Sequence, residues 1–325
     1  MAQTQYSLIR DLADGEFHSG TALARSASTS RVAIWKKVRS LIDMGFDIYA
    51  VRGKGYRLSE PIELLDHDRI LAAVGADVLV QIGGVQIELE VKSTNDLVLE
   101  RARAANVSRL ALFAEYQHGG KGRRGRKWIS PAGQNIYLSV LWKMAEHSAP
   151  IEGLSLAVGV SVVRAMAAMG CDVMLKWPND IYWMGRKVAG ILIEMSGEAS
   201  GPTALVVGVG VNVKMPIGVG ATIDQPWVDL ESIRGDVVPR NELAGRLLAE
   251  IARSLISFQK SGFAAFKPDF ERFDFLKGKS VTVKVHDREL IGEALGVDEQ
   301  GALWVSIGGS CQRFFSADVS VRAHS

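Results

Sequence analysis

Cysteine is almost missing from this sequence: Cys171 and Cys311 are the two in a chain of 325 residues. Neither sits in a C-x-x-C pair or near a histidine cluster, so a disulfide framework and a cysteine-ligated zinc are both excluded as expectations. Two buried thiols in a reducing compartment are expected instead, and no metal-binding residue set. Long apolar runs are missing too. The longest, around Leu154–Val163, is too short to cross a bilayer. The opening "MAQTQYSLIRDLADGEF" has acids and no apolar h-region, which argues against a signal peptide. A cytoplasmic protein with no membrane partner is the expectation. An excess of one charge is also lacking, since 38 Lys/Arg against 36 Asp/Glu leave +2. Any nucleic-acid contact must therefore come from a local patch. What is present, 47% apolar and 23% charged residues, is ordinary for a soluble globular chain long enough for several domains.

One basic patch lies in the first sixty residues. Leu8, Ile9 and Leu12 give a first helix its apolar face, "SGTALARSAS" starts a second with Ser19 as N-cap, and "TSRVAIWKKVRSLIDMG" is a third that stops at Gly45. On the third, Ile34, Val38 and Leu41 recur at helical spacing. Arg31, Lys36, Lys37 and Arg39 project from the other side, with Ser30 at the start. "FDIYAVRGKGYRLSEP" then reads as a β-hairpin turning at "RGKG", which carries Arg52 and Lys54. This is the pattern of a winged helix-turn-helix, whose third helix enters the major groove while the hairpin meets phosphate. The other reading is a helical interaction domain with a solvated basic face. The polar run ending in Pro61 marks the boundary.

From Val85 strands alternate with helices. "VQIELEVKSTNDLVLERARAAN" reads as strand, polar turn and helix, with Ser93 or Thr94 as N-cap and Asp96 in the first turn. "RLALFAEYQ" is a strand ending at Gln117. After it comes "GGKGRRGRKW", Gly119–Trp128, with four glycines and five basic residues in ten positions. Its core fits G-x-G-x-x-G, but a dinucleotide loop must lead from a strand into a helix. Here "ISPAGQNIYLSVLWKM" follows, a turn and a strand, so that reading fails. A flexible cationic loop remains, able to order around a polyanion. "LSLAVGVSVVRAMAAMG" is a buried helix. In "VMLKWPNDIYWMGRKVAGILIEM" we expect strands at Val173–Trp177, Ile181–Trp183 and Val188–Met195, with "PND" and "MGRK" as turns. Lys176, Asp180 and Lys187 are charges among apolar strands, costly without a partner or ligand. "TALVVGVGVNV" is a buried strand ending at Asn212, its glycines expected to mark close approach by a ligand. A helical stretch from about Arg240 ends at "FERFDFLKG". The C-terminal fifty residues show short strands separated by "HDRE", "DEQG" and "GG", a small β-barrel or sandwich with no visible site chemistry.

Taken together, "KSTND", "EYQHGGKGRRGRKWISPAGQNIYLSVLWK", "LKWPNDIYWMGRKVAGILIE" and "VVGVGVNV" closely resemble the biotin–protein ligases. With "GEFHSG" and "GKGYRL", the chain resembles over essentially its full length the bifunctional, BirA-type class that is both ligase and biotin-operon repressor. The resemblance implies an α+β multidomain fold. Its units are a winged helix-turn-helix at 1–62, a mixed α/β catalytic domain of the biotin/lipoate ligase (class II synthetase-like) type at 66–274, and an SH3-like β-barrel at 275–325. It implies that biotin and MgATP give biotinyl-5′-adenylate, which biotinylates a lysine of the biotin carboxyl carrier protein domain of acetyl-CoA carboxylase. The unused adenylate acts as corepressor and favours a homodimer that binds operator DNA.

By family position the resemblance assigns Ser93, Thr94, Asn95, Gln117, Lys121, Gly122, Arg123 and Lys187 to biotin. It assigns Gly120, Lys121, Arg123, Arg126, Trp128, Asn179, Asn212 and Trp227 to ATP and the adenylate. Arg123 and Lys187 supply positive charge where two anions meet. Asp180 is expected as base or positioner for the acceptor amine. Ser30, Arg31, Lys36, Lys37, Arg52 and Lys54 are expected to contact DNA. The family's loop usually opens Gly-Arg-Gly-Arg; here Lys121 replaces the first arginine, keeping charge and losing a planar fork. A lipoate-type ligase, or a repressor that senses a ligand without catalysis, are the competing readings.

Overall fold

The computed structural model describes residues 2–104, 107–144, 151–196, 204–285, 288–315 and 319–323. Helices α1 (Ala2–Leu12), α2 (Gly20–Ser26) and α3 (Arg31–Asp43) precede a hairpin of β1 (Ile48–Val51) and β2 (Gly55–Leu58). Ser19 and Ser30 cap α2 and α3, accepting from Ala22 N and Ala33 N at 3.1 and 3.2 Å. Leu8, Ile9, Leu12, Ile34, Val38 and Leu41 form the core beneath. The expected winged helix-turn-helix is thus present in full.

Two short helices follow, α4 (His67–Val74) and α5 (Ala76–Ile82). The central domain then runs β3 (Val85–Val91), α6 (Thr94–Ala104), β4 (Arg109–Gln117), β5 (Ile136–Lys143), α7 (Leu154–Ala167), β6 (Met174–Lys176), β7 (Asp180–Trp183), β8 (Arg186–Ser196) and β9 (Ala204–Val211). Its seven strands lie in the order β3-β4-β5-β9-β8-β7-β6. The β3–β4 pair, joined by α6, is parallel and the others are antiparallel. Period-two alternation divides the sheet: Leu110 and Leu112 pack toward α6, Ala111 and Phe113 toward α7. Helix α7 is apolar all round because it lies between the sheet and a long helix α10. After α8 (Ile217–Gly220) and α9 (Leu230–Arg234) come α10 (Arg240–Ser261) and α11 (Lys267–Phe273).

The last strands, β10 (Ser280–Val285), β11 (Arg288–Val297), β12 (Leu303–Ile307), β13 (Ser310–Phe314) and β14 (Val319–Ala323), form one antiparallel sheet in the order β13-β12-β11-β10-β14. Val281, Val283, Leu303 and Val305 share a continuous core with the central domain. His286 and Asp287 of the expected "HDRE" turn lie outside the described residues.

Two expectations need correction. Cys171 is buried but Cys311 is exposed, because β13 is an edge strand whose first four residues face solvent. "MGRK" is not a four-residue turn. Met184 and Gly185 make the turn alone, with φ of 46° and 78°, so Arg186 and Lys187 already belong to β8.

Candidate active site

Every expected ligase-site residue except Gly120 lines one cavity of about 320 Å³. Its walls are the start of α6, strands β7 to β9, the segment Thr222–Trp227, and the loop between β4 and β5, which folds as a flap. Gly122 N donates to Arg126 O at 2.7 Å and Trp128 N to Gly120 O at 2.9 Å, so the loop is a small hairpin closed by one 3₁₀ turn at Arg123–Gly125. No helix follows it before β5, as the sequence required. Gly120 sits at the base of the flap, where an added Cβ would lie 2.5 Å from Trp128 O.

One end of the cavity is neutral and polar. Thr94 N donates to Gln117 Oε1 at 2.9 Å, Thr94 Oγ1 lies 3.2 Å from the same oxygen, and Gln117 Nε2 donates to Ser130 Oγ at 3.1 Å. Ser139 Oγ is 2.7 Å from Thr94 Oγ1. Ser93 is the N-cap of α6: its carbonyl accepts from Leu97 N at 3.1 Å, and Asp96 N lies 3.5 Å from its Oγ. Asn95 is committed to the protein, with Nδ2 donating to Glu194 Oε2 at 2.7 Å and Oδ1 accepting from Ser139 Oγ. Among the described residues, the Ser93 hydroxyl proton and the second N–H of Gln117 have no partner, so a ligand can take them.

The other end is charged. Lys187 Nζ lies 2.7 Å from Asp180 Oδ1, both side chains less than a fifth exposed. Lys187 is fixed by its backbone as well: its N donates to Pro226 O at 2.9 Å and its O accepts from Val228 N at 3.0 Å. This ties it to Trp227, whose Nε1 donates to Gly220 O. Arg123 donates to Asn179 Oδ1 at 3.1 Å, and burial pulls its guanidinium below the usual arginine range. Asn179 Nδ2 donates in turn to Ile191 O. Asn212 Nδ2 reaches Val228 O at 3.4 Å. Lys176 does not join this cavity. Its ammonium donates to Tyr182 Oη at 3.2 Å, and burial lowers its pKa.

The glycines of β9 also accommodate side chains of the protein itself. A Cβ on Gly208 would meet Asn95 Oδ1 at 2.4 Å, and one on Gly210 would meet the Trp128 ring at 2.5 Å. They make room for protein side chains that line the cavity, and both glycines line it themselves. Trp128 lies over the paired Gly190 and Gly210, 5.4 Å from the Lys187 ammonium, and its buried Nε1 has no partner among the described residues.

Sequence reasoning missed Ser130, Ser139, Glu194 and the segment Thr222–Gln225. A further buried pair, Glu115 and Arg240, lies 2.9 Å apart outside the cavity lining. Ser139, Glu194 and Glu115 are each a single polar residue inside an apolar strand, and the pattern itself gives no signal. The expected DNA-contact residues lie apart from the cavity. Ser30, Arg31, Lys36, Arg52 and Lys54 are exposed and Lys37 half-buried, on α3 and the hairpin turn. Among the described residues no group of three or more His, Cys, Asp and Glu could hold a metal. No helix among them is long and apolar enough to cross a membrane.

Comparison with known proteins gives two family matches: the biotin/lipoate A/B protein ligase family over residues 87–212 and an HTH domain over residues 5–57. The bifunctional ligase/repressor BirA of Salmonella typhimurium is 38% identical over 98% of this chain and 97% of its own length. The biotin–[acetyl-CoA-carboxylase] ligase of Mycobacterium tuberculosis is 31% identical over 70% of this chain and 85% of its own. The biotin protein ligase of Aquifex aeolicus, solved with biotin and ATP, superposes with a TM-score of 0.63 at 29% identity, covering 74% of this chain and all but 1% of that one.

Proposed function

Because this chain belongs to the bifunctional biotin ligase/repressor family, we propose that its cavity makes biotinyl-5′-adenylate from biotin and ATP and that the product serves two ends. One is transfer to a lysine of a biotin-dependent carboxylase subunit. The other is repression, through the winged helix, of biotin-synthesis genes. The observation that carries the reading is one cavity with two chemistries. Neutral donors and acceptors at Ser93, Thr94 and Gln117 suit a ureido ring, and cations at Arg123 and Lys187 suit a carboxylate meeting a phosphate.

In the first step a carboxylate oxygen of biotin attacks the α-phosphorus of ATP, a P–O bond forms and pyrophosphate leaves. Arg123 and Lys187 reduce the repulsion between the two anions. Trp128 and Trp227 cover the base and ribose side, and Asn179 and Asn212 set the rims of strands β7 and β9. Magnesium enters as MgATP. Among the described residues the cavity has two carboxylates, Asp180 and Asp224, which could help hold the ion, while ATP's phosphates would supply further oxygens. In the second step the acceptor lysine amine attacks the acyl carbon, an amide forms and AMP leaves. Asp180 takes or positions the proton that the amine must lose. Gly120, Gly122 and Arg126 hold the flap's shape over the product.

The proposed units are 1–62 for DNA, 66–274 for catalysis and 275–325 for the C-terminal sheet. The proposed partners are the carrier domain of acetyl-CoA carboxylase, operator DNA and, with adenylate bound, a second copy of the chain. With these partners the proposed location is the cytoplasm. Labelled pyrophosphate exchange tests the reading: incorporation into ATP with biotin and not with lipoate is expected. Exchange with lipoate alone would indicate the other branch of the matched family, and exchange with neither would leave a repressor without catalysis.

A further inference from the structure

Lys121 is the first basic residue of the flap, and the structure gives its side chain a partner. The Lys121 ammonium is ion-paired with the Asp96 carboxylate in the first turn of α6. That hydrogen bond raises the lysine pKa. Position 96 also suits an acid, since negative charge is favoured at a helix N-terminus. The flap therefore has side-chain ties on both flanks: Arg123 reaches Asn179 at the β6–β7 turn, and Lys121 reaches α6. The second tie sits at a border. Lys121 lines the ligand cavity and also a surface hollow with Asp96, Glu100, Arg103 and Glu194.

We propose that Lys121 and Asp96 form a clasp that holds the flap down over the acyl adenylate, and that its opening sets how fast the activated intermediate escapes. The inference rests on the ligase reading and adds to it a positioning pair. The lysine acts through Asp96, not by touching phosphate, because its ammonium is turned toward α6. The clasp joins the flap to the element that carries Ser93 and Thr94, so a lifted flap also uncovers the polar end of the cavity. Its side chains are 42% and 30% exposed, so the contribution is modest: about two- to five-fold in retention. A partly exposed pair is also screened by salt, with a Debye length of about 3 Å at 1 M.

The test is the rate of adenylate release from preformed complex, followed by the fluorescence of the cavity tryptophans. Wild type, Asp96→Asn, Lys121→Gln, the double variant and the exchanged pair Asp96→Lys/Lys121→Asp are compared at low salt and in 1 M NaCl. Each single variant should speed release about two- to five-fold at low salt. The double variant should be no faster than the singles, and the exchanged pair should recover part of the loss. In 1 M salt the differences should vanish. If Lys121 instead binds the ligand, Lys121→Gln speeds release while Asp96→Asn leaves it unchanged or slows it, and the clasp is overturned. Wild type that retains no adenylate would overturn the ligase reading and the clasp together. Wild-type retention with unaltered variants overturns the clasp alone.

Discussion

Asp180 and Lys187 face each other across the β7–β8 hairpin, 2.7 Å apart, with little exposure to water. On the proposed mechanism, incoming phosphate and carboxylate groups draw the Lys187 ammonium away and leave the Asp180 carboxylate to meet the acceptor amine, so that the pair would order the two half-reactions.

Asp180→Asn should spare adenylate formation and slow transfer from preformed adenylate by about 10²- to 10⁴-fold. Lys187→Met should slow adenylate formation by about 10²- to 10³-fold, the scale of one lost electrostatic contact. Single-turnover assays of each half-reaction check both. An Asp180→Asn protein with normal transfer removes the base role.

Arg123→Gly should release adenylate and label lysines without selection, because the flap loses its bond to Asn179 and its charge over the acyl phosphate. Mass spectrometry of a mixture of the carrier domain and an unrelated protein reads this out. Selectivity equal to wild type contradicts it.

Gly210→Ala should weaken adenylate binding with little loss of fold. The added Cβ meets Trp128 at 2.5 Å, and a ring at the flap's end yields more easily than strand β9. Titration calorimetry with a non-hydrolysable adenylate should show the loss; unchanged affinity would mean that Trp128 does not bear on the ligand.

Asp274 has its carboxyl pKa raised by burial, and its Oδ2 has no partner among the described residues. A carboxyl whose folded pKa lies above the unfolded one favours the folded state at low pH. That stability is lost as pH rises through the folded value. Asp274→Asn should therefore raise Tm at pH 7 and do little at pH 4. Equal shifts at both pH values would show that charge is not the cause.

Glu115 and Arg240 carry a fold prediction. Glu115 Oε1 accepts from Leu65 N at 2.5 Å, and Arg240 also donates to Asn135 O at 2.7 Å, so the pair joins the linker after the winged helix to β4 and β5. Glu115→Ala should cost about 3–5 kcal/mol by leaving Arg240 buried without its partner. Denaturant unfolding measures it, and a loss below about 1 kcal/mol would mean that water replaces the carboxylate.

Much of the site was legible from strand ends. Ser93, Thr94 and Gln117 close two parallel neighbours, β3 and β4, and so meet at one rim of the sheet. The flap was legible because no helix follows its glycines. The place of Lys187 was misread because Met184 adopts a positive φ that sequence rarely signals, which shortens the turn by two residues. Ser139 and Glu115 were invisible because one polar residue in an apolar strand leaves the periodicity intact. The β9 glycines stand out in the sequence, and they line the cavity. Only packing shows that they answer to Asn95 and Trp128.

The central claim is that one product of one cavity serves both the carrier lysine and the operator. A gel-shift assay on the promoter of the protein's own biotin-synthesis genes tests it most directly, with neither ligand, biotin alone, ATP alone, and both. The account predicts a shift at markedly lower protein concentration only when biotin and ATP are present together. Equal binding in all four conditions, or none in any, would contradict it.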